Sequence, residues 1–166
     1  LPNKTKGISL IELLIYLAIL SAIMMGVVDM FLVTMRTRAQ NNAKFAVNEN
    51  ARVVFGKIRD AILDASTAAT AGTCPLNTLD VTTGGSTTRF QVNNGSMEIV
   101  EGVNPAKPLT AANVLVSTWA SCLFTKIDNP APAKPTVQIQ LRVTYNATGN
   151  SVMNVFQDYQ LTVSLR

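Results

Sequence analysis

Gly7-Ile8-Ser9-Leu10-Ile11-Glu12-Leu13-Leu14 opens an apolar run that reaches Val33, and how this run is read decides the fold. Lys4 and Lys6 stand just before it, and one carboxylate, Glu12, stands inside it. From Leu13 to Val28 there is no charge at all. The stretch from Ile8 to Val33 covers the roughly 20 residues that a helix needs to cross about 30 Å of hydrocarbon. A carboxylate there is costly, by about 2.5 to 3.5 kcal/mol at mid-membrane and less near an end. Headgroup water and the positive end of the helix dipole would ease that cost if Glu12 lies at the helix start.

Lys6-Gly7 followed by Ile8-Ser9-Leu10-Ile11-Glu12-Leu13 resembles the class III signal of type IV pilins and pseudopilins. That signal is a short basic leader ending in Gly, a cut, and an apolar helix with Glu at its fifth residue; counted from Ile8, Glu12 is the fifth. The family usually has Phe or Met after the cut, so Ile8 is a departure. The resemblance implies cleavage between Gly7 and Ile8 by a prepilin peptidase on the cytoplasmic face, and methylation of the new Ile8 amine. It also implies that Glu12 meets the Ile8 amine of a neighbouring chain in a helical stack. Ion pairing is the usual way a buried charge is tolerated, and such a pair selects register more than it adds net stability.

Lys4 and Lys6 on one side of the run are nearly balanced by Arg36 and Arg38 on the other, so the positive-inside rule does not orient it. The cytoplasmic N-terminus is therefore an implication of the resemblance. A general secretory signal fits less well, because the apolar core is longer than about 15 residues and no small-x-small site ends it.

After Val33 the chain of 166 residues is long enough for one further domain. This part holds twelve Lys and Arg against eight Asp and Glu, which accounts for the whole formal charge of +4. The charges are scattered singly, so neither a nucleic-acid groove nor a polybasic lipid patch is indicated. Apolar residues at Val47, Ala51, Val54, Ile58, Ile62 and Ala65 recur by threes and fours, the helical period. Glu49 with Arg52, and Lys57 with Asp60, are expected to pair on the wet face. The helix should thus run on to about Ser66, a rod on the order of 85 Å, with Gly26 and Gly56 as its weak points.

Beyond it, Ser66 to Pro75 reads as a loop of small polar residues. The period then switches from 3.6 to 2. Thr88–Val92 and Met97–Val100 flank Asn93-Asn94-Gly95, a hairpin signal because Asn and Gly tolerate positive φ. Val114–Trp119 and Cys122–Ile127 are candidate strands, and Asn129–Pro135, with three prolines, is a loop. Val137, Ile139, Leu141, Val143 and Tyr145 alternate with polar residues, as does the run from Val155 to Leu165. A turn around Asn146 to Asn150 would join these two as the longest hairpin. The expected architecture is α+β: one long N-terminal helix packed on an antiparallel sheet of six or so strands. Its divisions are a leader at residues 1–7, a transmembrane half-helix at 8–33, an amphipathic half-helix at 34–66 and a sheet region at 67–166.

This order is similar to the pilin fold. Asn48–Ile62, the Asn94-Gly95 turn and the ending Leu161–Arg166 are similar to minor pilins and pseudopilins of the J and W classes.

Cys74 and Cys122 are the two cysteines, and neither lies in a CxxC pair. With no histidine in the chain a zinc site is not supported. In an extracytoplasmic domain a Cys74–Cys122 disulfide would close a loop of about 48 residues and stabilise by roughly 4 kcal/mol. Two buried free thiols are the alternative.

Catalysis is not indicated and no cofactor is implied. Without histidine, Ser-His-Asp and Cys-His arrangements are impossible. Gly84-Gly85 precedes no Lys-Ser or Lys-Thr, so it is a turn and not a phosphate cradle. Asp60 and Asp64 are four apart, and a solvated face explains them. Trp119 and Tyr159, on alternating strands, are expected in the core.

The expectation is a structural subunit, a minor pilin or pseudopilin of a type IV pilus or a type II secretion pseudopilus. Its partners would be like subunits, the prepilin peptidase and the bacterial cytoplasmic membrane. A retained Glu12 argues against an extreme tip subunit. Two alternatives stay open: a filament-borne module presenting loops Ala68–Cys74 and Asn129–Pro135 to DNA, a surface or a secreted substrate, and a plain membrane-anchored domain.

Overall fold

Helix α1 runs from Leu10 to Leu63 in the computed structural model, which describes residues 9–146 and 155–166. Its first hydrogen bonds go to the carbonyl of Ser9, from the amides of Glu12 at 3.0 Å and Leu13 at 3.2 Å. The chain divides into two units, one through Ala39 and one from Gln40 on, so that α1 contributes to both.

In the first unit every described residue up to Arg38 is exposed. The most apolar window of α1 has mean hydropathy 2.4 and none of it is buried, so the helix is long and apolar enough to cross a membrane. Hydroxyls here bond back to their own helix: Ser21 donates to Ala18 O at 2.9 Å, Thr34 to Met30 O at 2.8 Å and Thr37 to Val33 O at 2.9 Å. Such internal partners are what a hydrocarbon surround demands of a polar group.

In the second unit the helical stripe is buried as its period requires: Ala43, Val47, Ala51, Val54, Ile58 and Ile62. Each larger member contributes on the order of 1.5–3 kcal/mol on leaving water. The helix ends at Leu63 instead of near Ser66, because Ser66 N and Oγ both already bond to Thr82 O, at 2.9 and 2.8 Å.

Nine strands follow among the described residues, in two antiparallel sheets instead of one. The first sheet is β1 (Thr67–Ala71), β2 (Thr78–Thr83), β3 (Ser86–Asn93), β4 (Ser96–Glu101) and β5 (Lys107–Pro108), in that order. The second holds β6 (Val114–Ser117), β7 (Phe124–Ile127), β8 (Thr136–Tyr145) and β9 (Phe156–Ser164). There β9 pairs with β8 from Thr136 to Thr144, while β7 and β6 lie end to end along the opposite edge, at Thr136–Ile139 and Arg142–Tyr145.

The segment expected as a loop from Ser66 is strand β1 over Thr67–Ala71, registered on Thr78–Thr82 of β2. Its side chains are small and only Ala68 is buried, so its pairing comes from the backbone and leaves little mark on the sequence. The Asn94-Gly95 hairpin joins β3 to β4 as expected, with φ of 49° and 78°. β8 alternates as expected, and Val137, Ile139, Leu141 and Val143 are fully buried. The β8–β9 pairing is the longest; the turn expected at 146–150 lies, from residue 147 on, outside the described residues.

The helical stripe and the inner faces of the strands share one core that includes Leu79, Phe90, Met97, Leu123 and Phe124. No side-chain nitrogen or oxygen buried among the described residues lacks a hydrogen-bond partner.

Candidate functional site

Glu12 sits in the first turn of α1, on a helix face that no part of the described chain covers. Its Oε1 accepts a hydrogen bond from the Tyr16 hydroxyl at 3.3 Å, one turn further along. Around this pair Leu10, Ile11, Leu13, Leu14, Ile15, Leu17, Ile19 and Leu20 are all at least half exposed. The arrangement is an apolar rod carrying one acidic group near its start, and its chemistry is that of packing against other apolar surfaces. Gly7 and Ile8, the expected cleavage and methylation positions, lie outside the described residues.

Cys74 and Cys122 are joined in a disulfide, with Cα atoms 4.8 Å apart. The bridge fastens the β1–β2 connection to the segment before β7. Two further contacts lie beside it: Leu123 N donates to Pro75 O at 2.9 Å, and the Asn77 amide bonds both backbone groups of Phe124. Asn77 carried no sequence signal beyond its place in a polar loop.

Three sequence expectations need correction. Trp119 is not core: it is 43% exposed, and its indole N–H donates to Tyr159 O at 3.4 Å, so the ring lies over the protein surface. Tyr159 is half-buried, edge-on to Phe55 at 5.9 Å between ring centres, and donates to Asn48 Oδ1 at 2.5 Å. Glu49, Arg52, Lys57 and Asp60 face solvent as expected but form no ion pairs among the described residues. Among the described residues the ion pairs are Arg89–Asp80, Lys126–Asp128 and Arg142–Asp158, all made within the sheet region, where strand register holds the first and last opposite each other. Of the two candidate recognition loops, Asn129–Pro135 is a loop braced by Asn129, whereas most of Ala68–Cys74 belongs to β1.

Electrostatics follow these contacts. Hydrogen bonding to Asp80 raises the Arg89 guanidinium above its ordinary value, and bonding to Asp158 does the same for Arg142. The Arg142 hydrogen bond lowers Asp158, and burial raises Tyr159. Among the described residues no group of His, Cys, Asp or Glu side chains is arranged to hold a metal.

Residues 2–28 match the family profile described as the prokaryotic N-terminal methylation motif. The match contains Gly7, Ile8 and Glu12 and stops before the sheets begin. No curated protein and no solved structure matches the chain. Together, the motif and the exposed apolar helix support a membrane-anchored subunit of the type IV pilin and pseudopilin kind, a structural protein in preference to an enzyme.

Proposed function

We propose that the chain is a minor pilin or pseudopilin that waits in the bacterial cytoplasmic membrane and then enters a filament by bundling α1 with the helices of like subunits. In this reading residues 1–7 are a leader removed before Ile8, the Ile8 amine is methylated, and residues 8–33 span the membrane once. The second half of the helix and the sheets stand outside the cytoplasm, where a Cys74–Cys122 bridge is stable. The filament is a type IV pilus or a type II secretion pseudopilus.

One observation carries the reading: Glu12 is exposed near the start of a helix whose apolar first half, as far as Val33, is wholly uncovered. An apolar rod of this length in water would aggregate, and a carboxylate alone in hydrocarbon is costly. A stack of parallel copies answers both, because the rods cover each other and the Ile8 amine of one copy meets Glu12 of the next.

The test is Glu12→Ala in the full chain. Membrane insertion and removal of residues 1–7, read from the N-terminal mass, should be unchanged, and incorporation into the filament should be lost. Undiminished incorporation would leave only a tethered domain.

A further inference from the structure

Between Leu10 and Val33 the polar side chains are Glu12, Tyr16, Ser21 and Asp29. Ser21 is satisfied by the carbonyl of Ala18, and Asp29 lies toward the far end of the apolar run. The Tyr16 hydroxyl finds its partner in Glu12: the two are four apart on one helix face, and the phenol donates to Oε1 at 3.3 Å. Among the described residues Oε2 of Glu12 accepts no hydrogen bond.

We propose that Tyr16 is a positioning residue for Glu12. Its hydroxyl holds the carboxyl by one oxygen while the subunit stands alone in the bilayer and leaves the other oxygen open for the amine of an incoming copy. This inference rests on the assembly reading above.

Three physical points support it. A free Glu side chain in hydrocarbon has no water to bond, so an internal donor lowers its cost, and a hydrogen bond to a charged acceptor is about twice as strong as a neutral one. Tyr is suited to that place, since its ring is at home among apolar chains while its hydroxyl needs a partner. Finally, Glu is a rotamer-rich side chain, and ordering it before docking removes part of the entropic cost of forming the pair.

The test uses the full-length chain. With 13C-labelled glutamate in phospholipid vesicles, the Glu12 carboxyl band in the infrared is assigned as the band lost in Glu12→Gln. Tyr16→Phe, which removes only the hydroxyl, should shift that band, and Tyr159→Phe should leave it in place. In cells, Tyr16→Phe should lower the ratio of filament to membrane-held subunit by about tenfold, the scale of a hydrogen bond to a charged group. In the Glu12→Gln background it should cause no further loss.

An unshifted band overturns the proposal, as does an equal loss from Tyr16→Phe in both backgrounds, which would mean that the hydroxyl acts on a partner other than the Glu12 carboxylate. If Tyr16→Phe assembles normally while Glu12→Gln does not, positioning by Tyr16 is overturned and the assembly reading stands. If Glu12→Gln itself assembles normally, the assembly reading fails and takes with it the proposed presentation to a neighbour.

Discussion

Asn77 serves Phe124 as a strand partner would: its Nδ2 donates to Phe124 O at 2.7 Å and its Oδ1 accepts from Phe124 N at 3.0 Å. The two residues are 47 apart in sequence, and both are buried, at 5% and 1% exposure. One side chain thereby satisfies both backbone groups at the start of β7, just beyond where the first sheet's β1–β2 connection meets the second sheet.

Asn77→Ala should therefore cost more than an average polar substitution. It leaves a buried N–H and a buried C=O without partners, each worth about 1–3 kcal/mol. We expect a loss of about 2–4 kcal/mol, read as a lower urea midpoint at unchanged slope for the purified chain. A loss below about 1 kcal/mol would mean that water replaces the amide.

The disulfide should contribute separately. With Cys74 and Cys122 separated by 48 positions in sequence, the chain-entropy estimate is about 4 kcal/mol. Replacing both cysteines by serine should lower the melting temperature and abolish its dependence on reductant. Because Asn77 and Cys74 brace the same connection, their combined loss should be less than additive.

Two glycines should respond to alanine with opposite signs. At Gly56, inside α1, an added Cβ meets nothing within 4 Å, so Gly56→Ala should stabilise by about 0.5–1 kcal/mol. At Gly95 the backbone has φ of 78° and the Cβ would stand 2.8 Å from Leu115 Cδ2. Leu115 can turn its end aside, but the left-handed backbone cannot be relieved, and Gly95→Ala should destabilise by about 1–2 kcal/mol. Thermal unfolding of the two variants beside the parent gives both signs.

Titration should act at both ends of the pH scale. Asp158 is lowered in the fold by its hydrogen bond from Arg142, so its contribution is present above the ordinary aspartate value near ~3.9 and is lost as pH falls through the folded value. Tyr159 is raised by burial, so its contribution is present below the ordinary tyrosine value near ~10 and is lost as pH rises through the folded value. Melting temperature against pH should thus converge for parent and Asp158→Asn in acid. The alkaline decline should be shallower in Tyr159→Phe.

Legibility differed from element to element. The helical stripe from Val47 to Ile62 and the alternation of β8 were plain, because burial on one side of a regular element imposes a period on the residues themselves. The Asn94-Gly95 turn was plain for a different reason, since positive φ restricts residue choice at the turn. The sequence of β1 reads as a loop because Thr-Ala-Ala-Thr-Ala carries almost no apolar alternation, and its strand form is owed to the paired backbone of β2. Trp119 reads as core because it is an aromatic residue at the end of a candidate strand, whereas the short β6 ends at Ser117 and leaves the ring on the surface.

By itself, then, the order of residues determined an apolar helix beginning near Glu12, its amphipathic continuation and the strands with one dry face, since each is a record of local contact with water or with core. Only the tertiary structure decided that the strands divide into two sheets and that Asn77 completes β7. Those depend on which side chains and distant segments meet once the chain is folded, and a pattern of polar and apolar residues along one element does not encode its partner.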